Sequence, residues 1–154
     1  MLFGNPSLFT RIAIGKGVGF ILGIMGFFAL PWFWPDVPME LRIGFLFWYA
    51  TVGAMIAVFG VVTWHPILHL PMPWWFRAPL IGAWMNLLIV LIAHTDLSAM
   101  MVAGFGAGSW LDSAYWLVLE GAIVGLLIGW LCTKFGGEGK ATVDAMSRPT
   151  SSQQ

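Results

Sequence analysis

Four stretches of this chain are long and apolar enough to cross a lipid bilayer, and they decide most of what it can fold into. They cover about 12–33, 43–63, 77–94 and 113–133. Hydrocarbon about 30 Å thick takes roughly 20 mostly apolar residues per helix. Inside lipid every backbone N–H and C=O needs an internal partner, which a helix supplies within one segment. Composition agrees: 9% of the 154 residues are charged, against about 25% in a soluble domain. So little charge excludes an ordinary cytosolic enzyme and a nucleic-acid binder with its basic patch. A single cysteine excludes a disulfide-stapled secreted domain. The expected fold is an all-α integral membrane protein, with four transmembrane helices in a compact glycine-seamed bundle. The run 100–108, MMVAGFGAG, is too short to span and is expected to be interfacial or re-entrant. The first segment is too long for a signal peptide, and no A-x-A-like site follows it.

Lys and Arg set orientation, because they collect on the cytoplasmic side. Four spans place Arg11, Lys16, Arg77, Lys134, Lys140 and Arg148 on one side and Arg42 alone on the other. Both termini are therefore expected in the cytoplasm, with the chain in a bacterial inner membrane. Trp32, Trp34, Trp64, Trp74, Trp75, Trp110, Trp116 and Trp130 lie near span ends, as an aromatic belt at the headgroup level would. Prolines 31, 35 and 38 stiffen the first outer loop, and prolines 66, 71, 73 and 79 punctuate the inner one. Pro66 and Pro79 suit helix starts, of a short interfacial helix and of the third span. The expected division is a transmembrane domain over 1–135 and a Gly- and Ser-rich cytoplasmic tail over 136–154, flexible unless a partner orders it.

Small residues let membrane helices approach closely. In the first span Gly15, Gly19 and Gly23 follow each other at intervals of four, and Gly26 shares their face. At roughly 100° per residue the four fall within a stripe about 80° wide. The last span repeats the pattern with Gly121, Gly125 and Gly129, the second has Gly53, Ala57 and Gly60, and the third has Ala78, Gly82, Asn86 and Ala93 on one face. Every span thus offers a face for tight packing.

Glu120 is the one acid well inside a span. An ionised acid facing lipid costs several kcal/mol, so Glu120 is expected to face protein or water. It lies about 140° from the middle of the Gly121/Gly125/Gly129 stripe, so the last helix needs protein on two sides. Asn86 and Thr51 sit at similar depth, and the three are expected to form a buried hydrogen-bonded cluster. As interhelical glue each bond contributes about 0.6 kcal/mol. As a proton or cation site the cluster would normally be one of several ionisable groups in series, and here there is one.

His65 and His69 are spaced to share a helical face, but two histidines without a nearby carboxylate or thiolate make a poor metal site. His94 belongs to the opposite surface. No histidine sits mid-span for haem or pigment, and Cys132 reads as a small packing residue. Ser98, Ser109 and Ser113 share the outer surface with His94, Asp96 and Asp112, without the elbow that places a catalytic serine. Neither enzyme, metal nor cofactor is expected. The leading expectation is a non-catalytic accessory, assembly or structural subunit of a larger membrane complex, its partners lipid and other subunits or copies of itself. The alternative is a small oligomeric channel or transporter using Glu120 and Asn86.

Overall fold

A computed structural model describes residues 7–65, 67 and 69–144. Among these the fold is all-helical: α1 (Leu8–Phe33), α2 (Met39–Phe59), α3 (Trp74–Ile92), α4 (His94–Phe105), α5 (Trp116–Gly136) and the short α6 (Ala141–Asp144). The helices α1, α2, α3 and α5 are long and apolar enough to cross a membrane. Local chemistry sets their ends. The Ser7 hydroxyl accepts from the Thr10 amide at 3.4 Å and starts α1. Pro38 and Pro73 immediately precede α2 and α3, where a fixed φ and a missing N–H do no harm. Gly137, at φ 79°, ends α5 in a positive-φ conformation that favours glycine. Because α3 begins at Trp74, Pro79 lies inside it rather than in its first turn.

The run expected to be interfacial or re-entrant contributes to α4, which follows α3 after a break at Ala93 and ends at Gly106. One face of α4, Leu97, Met100 and Met101, is buried in the core. In the loop between α2 and α3 a bridge pairs Trp64 with Pro71. Pro66, expected to start a helix there, lies outside the described residues.

The bundle is two antiparallel hairpins, α1 with α2 and α3 with α5, each in close contact along its length, laid side by side. Within each hairpin the backbones touch. A methyl group on Gly15 would land on the Gly53 carbonyl oxygen, one on Gly19 on that of Tyr49, and one on Gly23 would lie 2.6 Å from that of Leu46. In the second hairpin, methyl groups on Gly82 and Gly125 would land on the carbonyl oxygens of Gly121 and Ala78, and one on Gly129 on the Ala78 methyl. Gly26 takes no part, for a methyl there would meet nothing within 4 Å. At that level α2 presents Arg42, whose guanidinium lies 4.1 Å from the Phe27 ring centre and donates to the Phe27 carbonyl at 3.0 Å.

The two hairpins are built to one plan. Gly15 meets Gly53 in the first, and Gly82 meets Gly121 in the second. Counting from those contacts, Trp48 stands five residues before Gly53 and Trp116 five before Gly121, and an alanine follows both Gly53 and Gly121. One turn outward, Gly19 lies against the Tyr49 carbonyl, while Asn86 donates to the carbonyl of the matching Leu117.

At the end of the bundle where α1 begins and α5 ends two arginines are buried, Arg11 at 1% and Arg77 at 3% exposure. Both had the sequence signature of end-turn charges. Arg11 donates to the carbonyls of Ala57, at 3.2 Å, and Gly137. Arg77 donates to those of Val62 and Met72, each at 2.6 Å, and of Gly60 at 3.4 Å. These carbonyls belong largely to the C-terminal ends of α2 and α5, where helix dipoles favour a cation. Arg77 also pairs with Glu138 at 2.7 Å. The first residues of the segment assigned to the tail are thus packed: Ser7 N–H donates to Gly136, Gly139 N–H donates to Gly60, and Thr142 is buried.

Candidate functional site

Where the hairpins meet, four side chains from three helices join in one hydrogen-bonded cluster. The Tyr49 hydroxyl on α2 donates to Glu120 Oε2 on α5 at 2.7 Å. Asn86 on α3 donates through Nδ2 to the same oxygen at 2.9 Å and to the Leu117 carbonyl at 2.8 Å. Its Oδ1 accepts from the Trp48 indole N–H at 3.0 Å. Asn86 is 2% exposed, and all three of its hydrogen bonds end on protein. Such a network fixes rotamers and rejects other arrangements, because a buried polar group left unpaired is costly.

Of the three residues expected in this cluster, two meet and one stands apart. Glu120 and Asn86 meet as expected. Thr51 does not join them: it is on the exposed side of α2, and its hydroxyl donates to the Phe47 carbonyl one turn back at 2.8 Å. Matching by depth alone ignored direction, for Thr51 is two residues from Tyr49, or about 200° around the helix. Glu120 also lies higher than expected, in the second turn of α5, since that helix begins at Trp116.

Trp48 and Tyr49 went unnamed, yet their position carries a signal. Both sit in the middle of α2, far from either headgroup level. An aromatic N–H or O–H buried there needs a polar partner, and Glu120 and Asn86 supply it. Comparison of the two hairpins sharpens the point. Glu120 immediately precedes Gly121 as Val52 precedes Gly53, and Asn86 stands where the first hairpin has Gly19. The second hairpin therefore brings the polar residues and the first brings the aromatic donors.

Elsewhere, polar residues with catalytic or metal-binding potential serve local structure. His65 Nδ1 accepts from the Ile67 amide at 3.3 Å, and His69 has φ 49°, so the two imidazoles do not share a helical face. His94 packs its ring against Tyr115, centres 5.7 Å apart. Ser109 and Ser113 accept from the Leu111 and Tyr115 amides, and Asp112 from the Gly108 amide. Among the described residues no three of His, Cys, Asp and Glu gather where they could hold a metal ion. Buried Cys132 directs its thiol to the Arg11 carbonyl at 3.5 Å.

The chain matches no family model, no curated protein and no solved structure.

Proposed function

We propose that this is a small non-catalytic membrane protein, an accessory or assembly subunit whose glycine-seamed bundle is a rigid scaffold within a larger complex. The observation that carries this reading is the mutual hydrogen bonding of the Glu120 cluster. Glu120 Oε2, the Asn86 amide and the Trp48 and Tyr49 donors are directed at one another. Two of its four hydrogen bonds, Tyr49 to Glu120 and Trp48 to Asn86, cross between the hairpins, and at about 0.6 kcal/mol each they make a fastening of roughly 1 kcal/mol. The arginines at the inner end are likewise held by carbonyls and Glu138. What faces outward from the spans is mostly apolar, including Phe28, Phe47, Trp84 and Ile123, a surface for lipid or for neighbouring helices. The basic residues clustered at one end favour both termini in the cytoplasm of a bacterial inner membrane.

Native-gel electrophoresis after mild solubilisation tests the reading. A band well above the monomer, carrying other subunits or further copies, is expected. A lone monomer with nothing co-purifying would overturn it.

One observation favours the channel or transporter alternative. Glu120 lies between two hairpins built to the same plan, and carriers made of parallel repeats place their sites at such an interface. Liposome flux under proton and cation gradients separates the two. Flux that Glu120→Gln abolishes would replace the scaffold reading.

A further inference from the structure

We propose that the outward face of α1 holds an anionic phospholipid, with Lys16 on its phosphate and an acyl chain in the notch over Gly17.

The starting point is the fate of the described basic residues. Arg11 and Arg77 are buried on carbonyls. Arg42 lies on Phe27, and Lys134 stands 4.7 Å from the Trp130 ring centre. Lys140 lies beyond the last span. Lys16 alone among the described cations is exposed within a span and meets no acid, carbonyl or ring of the protein. It is eight residues into α1, or about 12 Å along the axis. A helix of 26 residues is about 39 Å long, so centring it on hydrocarbon of about 30 Å leaves roughly 4–5 Å outside at each end. The Lys16 backbone then lies some 7 Å inside the hydrocarbon. An ammonium left there unpaired is unfavourable.

Helix geometry offers a remedy. Side chains on a helix lean toward its N-terminus, which for Lys16 is the nearer membrane surface. Its four-carbon stem can lie along the previous turn and lift the ammonium toward the headgroups. That turn is part of a groove of about 600 Å³ lined by Phe9, Ile12, Ala13, Lys16, Gly17 and Phe20. Phe9 and Phe20 form its ends. Ala13 and Gly17 form its floor, and a methyl added to Gly17 would touch nothing within 4 Å. The groove runs along the helix axis from Phe9 to Phe20 with Lys16 between them, so a lifted ammonium leaves the stretch over Gly17 and Phe20 apolar toward the bilayer interior. A phospholipid has the complementary polarity: a negative headgroup at the surface and a chain pointing inward. The unpaired positive charge selects an anionic headgroup over a zwitterionic one.

Native mass spectrometry of the full chain in mild detergent tests this with phosphatidylglycerol and phosphatidylcholine bearing identical acyl chains. The wild type should retain phosphatidylglycerol about fivefold better, equivalent to about 1 kcal/mol, the contribution of one basic residue near an anionic surface. Lys16→Gln should erase that preference while leaving phosphatidylcholine retention unchanged. Gly17→Leu should fill the notch and lower retention of both. Lys16 is exposed and Gly17 faces open space, so neither variant disturbs the helix contacts, and unchanged melting temperatures would verify it. Equal retention of the two lipids, or a preference surviving Lys16→Gln, would overturn the proposal. So would a dimer that Gly17→Leu dissociates and added lipid leaves intact, because the groove would then belong to a second copy.

Discussion

Two glycines of α1, two residues apart, should respond to the same substitution with opposite signs. Gly15 lies against α2, where an added methyl would fall on the Gly53 carbonyl oxygen and within 2.9 Å of the Ala57 methyl. Neither neighbour can yield without moving backbone, so Gly15→Ala must push the helices apart. Overpacking of this kind costs about 1–3 kcal/mol, and separation also weakens the adjoining contacts at Gly19. Against this stands the helix-propensity gain of Ala over Gly, about 1 kcal/mol in water. The net expectation is a destabilisation of about 1–2 kcal/mol. Gly17→Ala meets nothing within 4 Å, so only the propensity gain remains, and the variant should be neutral or up to about 1 kcal/mol more stable. Reversible unfolding in mixed micelles, titrated with a denaturing detergent and followed by tryptophan fluorescence, reads both. Equal effects of the two substitutions, or a harmless Gly15→Ala, would refute the backbone contact between α1 and α2.

Three further outcomes follow from the polar groups. Asn86→Leu removes three hydrogen bonds and strands the Trp48 indole N–H, so it should cost about 2–4 kcal/mol in the same unfolding measurement. Thr51→Ala removes only a bond to its own helix on the exposed side, and should change stability by less than about 0.5 kcal/mol. Arg77→Met leaves Glu138 and the carbonyls of Val62 and Met72 without their donor. It should destabilise by about 3 kcal/mol, the low end for breaking a buried pair because Glu138 is partly exposed. It should also expose the segment after Gly136 to protease, seen as a C-terminal clip that the wild type resists.

The spans were legible because a bilayer imposes one requirement that hydropathy measures directly, length of apolar helix. Their ends shifted by a few residues where capping chemistry competes with hydropathy, as at Trp74 after Pro73. Glycine spacing located the faces of Gly15, Gly19, Gly23, Gly121 and Gly125, since four residues make nearly a full turn. It could not exclude Gly26, which shares the spacing but faces open space. The polar cluster was half legible. Glu120 and Asn86 are conspicuous in apolar surroundings, but Trp48 and Tyr49 merge into an aromatic-rich sequence unless their distance from the membrane surface is weighed. Arg11 and Arg77 resemble ordinary charges at span ends, and only the return of residues 136–144 beneath the bundle reveals what they hold. That return depends on contacts distant in sequence, which neither periodicity nor composition encodes.

The account rests on the Glu120 cluster as the fastening between two like hairpins, and a double-mutant cycle measures that fastening most directly. Tyr49→Phe, Glu120→Leu and the double variant, unfolded reversibly beside the wild type, isolate the energy of the bond between α2 and α5. A favourable coupling of about 0.6 kcal/mol, and not above about 1.7 kcal/mol, is predicted. Additive effects with no coupling would contradict the claim that this bond joins the hairpins.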